Sequence, residues 1–396
     1  MLEQMSTPPC VLCKARETMR NPALGDLIIA SITWLFVIWP HTSLANQEGS
    51  ASEWQQAVQQ RTWTFPRDHG SHPEYQTEWW YFTGNLQSAL GNRFGYQLTF
   101  FRQGVRRKVA DPDNPWSLRD LYLAQFAITD ISAGSFQAAD LISRPGPGLA
   151  SAAKDNMDVW VLNWSARLTE NTIHLEARNR DMAILLELRP EKPPVLHGHG
   201  GLSKKGPGRG QASYYYSYTS LETTGHLRTQ PGGGEVAVSG ISWFDHEFGS
   251  NQLASDQEGW DWFSLHLSDG RDLMIYLLRR TDGSTEPASS GTLVDPVGQS
   301  NHLEVTDMQI NVLDRWRSAT SGSQYPSRWR IQIPKARIDL TVAPLLPGQE
   351  LDTQGSTGIV YWEGAVSGEG TSDERKVSCE GYIELTGYAE GIGGVF

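Results

Sequence analysis

The sequence predicts an all-β protein, and three observations carry that expectation. The 396 residues include 39 Gly and 21 Pro, a composition that favours frequent turns over long helices. Short apolar-aromatic runs recur at even spacing from Trp63 onward, the pattern of a sandwich or barrel. No stretch sustains the 3.6-residue apolar period of an amphipathic helix.

The strands are read in order. Thr77 to Thr83 and Gly95 to Arg102 flank the turn signal Gly91-Asn92 and form a hairpin. Tyr122 to Thr129, Val159 to Leu168, Thr172 to Arg178 and Met182 to Leu188 continue the series. Pro190 to Gly210, with Pro193-Pro194 and six glycines, reads as a long loop, and His197-Gly198-His199 within it as solvated. Strands resume at Tyr214–Thr219, Gly240–Phe244, Gly259–Leu267, Asp272–Arg280, Arg328–Ile333, Ile338–Val342, Tyr361–Val366 and Gly381–Tyr388. Pro287 to Gly298 and Ser318 to Ser327 read as further loops.

An internal echo suggests tandem organisation. Glu78-Trp79-Trp80-Tyr81-Phe82, a turn and then Gly95 to Arg102 resemble Gly259-Trp260-Asp261-Trp262-Phe263, the turn Asp269-Gly270 and then Leu273 to Arg279. Domains are expected at 62–210 and 211–396, preceded by a linker or short helix at 46–61.

Residues 1–45 read as a secretory leader. Lys14, Arg16 and Arg20 precede the apolar run Leu27 to Trp39, and Ser43-Leu44-Ala45 supplies a small-x-small cleavage site. The stretch before the apolar run is long for a leader, and Met19 is a better-placed start. A periplasmic or secreted protein is expected, with membrane association left open. Cys10 and Cys13 leave with the leader, so Cys379 alone remains and no internal disulfide can form. The net charge of -12 and the lack of a basic stripe argue against a nucleic-acid partner. No G-x-S-x-G elbow, phosphate-cradling loop or G-x-G-x-x-G is present, so serine-hydrolase and nucleotide chemistry lack support.

The candidate chemistry lies where carboxylates adjoin tryptophan. There are 15 Trp, and Glu78-Trp79-Trp80, Trp243-Phe244-Asp245, Trp260-Asp261-Trp262 and Trp362-Glu363 place acids beside indoles. Residues two apart in a strand share a face. Glu78 therefore points with Trp80, Asp245 with Trp243 and Glu247, and Trp260 with Trp262. A carboxyl turned inward among indoles is poorly solvated, so its pKa rises and it can donate a proton near neutrality. Aromatic faces could shelter a carbocation. The alternative is ordinary hydrogen bonding at strand ends. Asp68, His69 and His72 could join His246 or Glu247 around a metal, but no H-E-x-x-H or comparable spacing occurs, and no metal or cofactor is expected. Tyr214, Tyr216 and Tyr218 share a face that either lines a cavity or fills a core.

The segments Phe65-Pro66-Arg67-Asp68-His69-Gly70-Ser71-His72-Pro73 and Glu78 to Leu86 resemble the lipocalin-like family related to carotenoid 1,2-hydratase. So do Lys192 to Leu196, Ala212 to Ser217, Trp243-Phe244-Asp245-His246-Glu247, Gly259 to Phe263 and Gly381 to Tyr388. The resemblance spans nearly the whole chain beyond the leader. It implies two packed calycin-type barrels with a cleft between them, in proteins often encoded beside ABC-transporter genes. It also implies cofactor-free acid chemistry on an isoprenoid-like alkene.

Two functions are expected from these readings. In the first, Asp245 protonates an alkene, Trp80, Trp243 and Trp262 shelter the cation, and Glu78 or His69 positions the water, with Glu247 a further acid. Trp79, Asp68, His72, Tyr216, His246, Trp260 and Glu384 contact the substrate. In the second, the same cleft only binds a lipid or hydrophobic molecule and delivers it to an ABC-transporter complex.

Overall fold

In the computed structural model, residues 54–391 are described apart from 110, 115, 231 and 252. The expected leader, its cleavage site and the first part of the 46–61 linker lie outside them. Residues 54–61 form no helix. They run as an irregular arm along the first sheet, where Ala57 is buried.

The described residues form antiparallel strands with three short 3₁₀ turns and no α-helix. The first sheet holds β1 (Thr77–Ser88), β2 (Arg93–Gly104), β3 (Asp120–Asp130), β4 (Ser135–Ser143), β5 (Ala150–Ala152), β6 (Asp158–Val161) and β7 (Trp164–Thr169). It continues with β8 (Thr172–Arg178), β9 (Ala183–Pro190), β10 (Val195–Leu196), β11 (Leu202–Lys204), β12 (Ala212–Arg228) and β13 (Val236–Gly249). Its order is β4-β3-β2-β1-β13-β12-β9-β8-β7-β6-β5. The sheet curls until β6 meets β2, β3 and β4, making a nearly closed barrel.

The second sheet holds β14 (Gln257–Leu267), β15 (Asp272–Arg280), β16 (Ser290–Val294), β17 (Ser300–Glu304) and β18 (Gln309–Arg317). It is completed by β19 (Gln324–Ile333), β20 (Ile338–Pro344), β21 (Glu350–Asp352), β22 (Val360–Ser372) and β23 (Arg375–Leu385). Its order is β17-β16-β15-β14-β23-β22-β20-β19-β18, a half-barrel rather than a second closed one. The two echoed hairpins occupy matching places. β1 lies between β13 and β2, and β14 lies between β23 and β15.

Three expectations need correction. The sheets do not divide at 210/211, because β12 and β13 complete the first sheet and the second begins at Gln257. Pro190–Gly210 is not a free loop. β9 pairs with Leu221–Arg228 of β12, and β10 and β11 pair with the remainder of the same edge. Pro287–Gly298 contains β16, whose five residues are all buried.

Strand alternation sorts the side chains into three layers. Trp80, Phe82, Tyr216 and Phe244 enter the first barrel's core. Phe263, Leu265, Trp329, Ile383 and Leu385 enter the second core. Tyr81, Tyr215, Trp243, Trp262, Tyr276 and Tyr382 form the layer between the sheets. Tyr216 and Tyr218 thus fill a core, which decides that open question, and the intervening Tyr215 faces the layer where the cleft lies. Gly91 at φ +84° makes the β1–β2 turn in a conformation that favours glycine.

Trp329 is fully buried, edge-on to Phe263 at 5.8 Å, and its indole N–H has no partner. Trp329→Ala removes packing alone. It is expected to cost about 3–5 kcal/mol, read as a lower urea midpoint.

Candidate active site

The register of β1 against β13 pairs Trp79 with Glu247, Trp80 with His246 and Tyr81 with Asp245. One wall therefore carries two sets of polar residues, one on each face.

On the barrel face, Glu78 is fully buried. Arg102 Nε donates to its Oε2 at 3.0 Å, and the backbone N–H of His72 donates to both oxygens at 2.9 and 3.0 Å. His72 Nδ1 and His246 Nε2 approach Oε1 at 2.9 and 3.0 Å. Asp68 Oδ1 lies 3.2 Å from His72 Nε2 and takes a 2.8 Å bond from Arg61. Burial alone would raise the Glu78 pKa, but Arg102 and the two histidines outweigh it and hold the carboxyl well below its usual range. Burial, helped by His246, pushes His69 down to about 3, so its ring is neutral. Its Nδ1 meets the Tyr216 hydroxyl at 2.6 Å, and its carbonyl accepts from Trp80 Nε1 at 2.9 Å. His72, Glu78 and His246 have the mutual spacing of metal ligands. Their candidate donor atoms already bond to one another, and Arg102 sets a positive charge beside them, so the set fits an ion-pair network better than a cation site.

On the other face lies a cleft that opens to solvent. Trp79, Tyr81, Phe101, Tyr215, Asp245 and Glu247 line it from the first sheet. Trp260, Trp262, Tyr276, Tyr361 and Glu384 face them from the second. Asp245 is 3% exposed. Tyr215 donates to its Oδ2 at 2.6 Å, while Trp243 Nε1 at 2.6 Å and Ser217 Oγ both donate to Oδ1. Burial dominates these donors, with some help from the Glu247 charge, and raises the Asp245 pKa to about 7. Glu384, half-buried and taking a 3.2 Å bond from Trp260 Nε1, is also raised to about 7 by desolvation. Lys205 Nζ pairs with Glu247 Oε1 at 2.9 Å and sits 4.1 Å from the Tyr276 ring centre.

A buried relay backs Asp245. His197 Nε2 lies 2.6 Å from Ser217 Oγ, and its Nδ1 lies 2.8 Å from Thr292 Oγ1. Because Ser217 donates to Asp245, Nε2–H donates to Ser217 and Nδ1 accepts from Thr292. Burial first, then Lys205 and His302, push His197 down to about 3 and keep it neutral. The sequence reading placed His197 in solvent, but the ring is fully buried, because β10 and β11 hold its loop against β12.

The sequence candidates therefore separate. Asp245, Glu247, Trp79, Trp260, Trp262 and Glu384 meet in the cleft. Trp243 stands behind Asp245 and touches it through its indole N–H. Glu78, His69, Trp80, Asp68, His72, Tyr216 and His246 lie across the wall in or against the first barrel, so Glu78 and His69 cannot position water for Asp245, nor can Trp80 shelter a cation there. Tyr215, Lys205, His197 and Tyr81 were missed, and Glu363, noted beside Trp362, was given no role. Strand parity could have found Tyr81, which is in phase with Trp79, and Tyr215, which is out of phase with Tyr216. Lys205 and His197 carried no such signal.

A nearly closed barrel and a half-barrel enclosing an aromatic, acid-bearing cleft define an all-β, two-sheet protein. The chain belongs to the AttH-like family, whose model matches residues 56–388. A Nitrosomonas europaea protein assigned to AttH is 33% identical, with a TM-score of 0.75 over 84% of this chain and 99% of its own. Kievitone hydratase from Nectria haematococca shares the fold at 14% identity, with a TM-score of 0.64 over 86% of this chain and 97% of its own. No protein of curated function matches the chain significantly.

Two outcomes follow from the opposed acids. Asp245 is raised above its unfolded value of 3.8, so its contribution to stability is full below about pH 4 and is lost as pH rises through 7. Asp245→Asn should therefore raise Tm relative to the parent at pH 8, with the gain vanishing near pH 4; the Tyr215 hydroxyl can turn to accept from the amide. Glu78 is depressed, so its contribution is present above its unfolded value of 4.5 and is lost only in acid. Glu78→Gln strips Arg102 of a buried partner and should cost about 3–5 kcal/mol at pH 7, measured by urea unfolding.

Proposed function

We propose that this protein is a cofactor-independent hydro-lyase or cyclase that takes a lipophilic, isoprenoid-like alkene into the cleft and protonates it from Asp245. The observation that carries this reading is a buried carboxyl that only neutral groups contact, raised by burial to about 7 and lining an aromatic-walled cleft. A proton donor working at pH 7 needs a pKa near 7. Protonation leaves a carbocation that the faces of Trp79, Trp260 and Trp262 stabilise by cation–π attraction, about 2 kcal/mol each when desolvated. Water or an internal nucleophile then captures it.

The neutral His197–Ser217 relay serves this step by holding Asp245 in one orientation. When Asp245 loses its proton, Ser217, Tyr215 and Trp243 all donate to the resulting carboxylate. The motif resemblance to carotenoid 1,2-hydratases supports an acyclic polyene as the substrate class. Likeness to kievitone hydratase supports the fold that such chemistry uses. The leader-like N-terminus supports an exported enzyme working in the periplasm or outside the cell.

A second reading is a non-catalytic lipid carrier that passes its cargo to an ABC transporter. It is favoured by the saturation of Asp245, whose oxygens already have three donors from the protein itself. Incubation with acyclic carotenoids and squalene-like polyenes, followed by mass spectrometry, separates the two. The enzyme yields a product heavier by one water, or a cyclised isomer. Asp245→Asn then lowers turnover by about 10²–10⁴-fold while polyene binding is retained. A carrier shows a co-purified lipid by native mass spectrometry, no product, and no effect of the substitution.

A further inference from the structure

The second sheet carries an acid that the sequence marked only by its neighbour Trp362 and gave no role. Glu363 on β22 and Glu384 on β23 are direct partners in the β22–β23 register. Both face the inter-sheet layer, Glu384 at the cleft surface and Glu363 behind Tyr81 and Tyr361. Glu363 is 2% exposed. Its Oε1 accepts from the Tyr81 hydroxyl at 2.6 Å, whereas Oε2 is buried with no hydrogen-bond partner. An ionised carboxylate with an orphan buried oxygen is costly, so such a group keeps a proton.

The surroundings make the same demand. Around the pair stand Tyr81 from β1, Tyr361 from β22, Tyr382 from β23 and Trp260 from β14, with Asp245 and Glu247 across the cleft. Among the described residues neither acid of the pair has an ion-pair partner, and Lys205, which also lines the cleft, is committed to Glu247. Two neighbouring carboxyls with no counter-ion cannot both ionise readily. Burial and the Glu384 charge raise Glu363 well above its usual range, and burial raises Glu384 to about 7.

We infer that Glu384 and Glu363 form one coupled carboxyl pair, holding a single proton at rest, that faces Asp245 across the cleft and takes up the proton released by the adding water. This role rests on the hydration reading. Glu363 stays neutral, and Glu384, as carboxylate, is the base. The Asp245 O–H bond breaks as the new C–H bond forms. The water oxygen gives an electron pair to the cation to form C–O, and the water's extra proton passes to Glu384. Asp245 ends as carboxylate and the pair gains one proton. After the alcohol leaves, that proton returns to Asp245 through solvent entering the open mouth, so no co-reactant is consumed. Acid and base thus come from opposite walls, which favours addition of the proton and the water from opposite sides of the bound alkene.

Infrared titration of the intact protein labelled with ¹³C-glutamate tests the pair without any substrate. The parent should show a neutral glutamate C=O band persisting above pH 7 and titrating in two steps. Glu363→Gln and Glu384→Gln should each leave one step, and Tyr81→Phe should move the upper step higher by removing a donor. Asp245→Asn should leave both steps in place. Near-UV circular dichroism verifies that each variant is folded. In turnover, Glu384→Gln should lose about 10²-fold or more together with the acidic limb of the pH profile, while Glu363→Gln keeps that limb. Glutamates ionised throughout at pH 7, or full turnover by Glu384→Gln, overturn the inference. If the parent hydrates no alkene, the hydration reading fails and the water step falls with it, while the titration independently decides whether the pair is coupled and holds one proton.

Discussion

The structure depends on a wall buried on both faces. Strands β2, β1, β13 and β12 close the first barrel with one face and roof the cleft with the other. A strand buried on one side can leave its polar residues in water. Here that outlet is closed, so each acid on the wall must find a buried solution. The two faces find opposite ones.

Glu78 and Asp245 illustrate the difference. Each is almost completely buried, and each accepts several hydrogen bonds. Glu78 has Arg102, which itself bonds to Asp120 and to the carbonyls of His72 and Tyr75. The buried charge is compensated and the carboxyl stays ionised. Asp245 has only neutral donors, and the charge nearest in its own strand is another acid, Glu247. Desolvation then prevails and the proton is kept. Ion pairing makes the barrel face a fastening for the entry segment 61–72, whereas the missing counter-charge leaves the cleft face with carboxyls whose pKa is raised. The second sheet repeats only half of the pattern: Glu384 faces the cleft without an ion-pair partner, while Asp261 on the far side bonds to Arg279 and Tyr388 and burial still raises its pKa.

The segment 195–205 links these layers. It pairs with the part of β12 that β9 leaves open, and it delivers His197 to Ser217 and Lys205 to Glu247. Glycine and proline content suggested a solvated loop. Composition reports local stiffness and polarity, but not an unfilled strand edge contributed by residues that follow in sequence.

Much of the architecture was legible in one dimension. Even spacing of aromatic strands, the Gly91 and Gly270 turns and the echo of Glu78–Phe82 in Gly259–Phe263 carried the all-β class and the tandem plan, because strand period and turn chemistry are local properties. The same period assigned Asp245 with Glu247 and Glu78 with Trp80 to common faces. It could not say which face of which strand looks into a packed core and which into the cleft, nor that one barrel closes and the other stays half open. Those choices depend on register between strands far apart in the chain, such as Tyr81 beside Asp245 and Glu363 beside Glu384. Whether a buried carboxyl ionises depends in turn on which charges that register brings within reach. The sequence by itself therefore determined the strands and their alternation, while tertiary pairing alone decided which acids are neutralised by cations and which keep their protons.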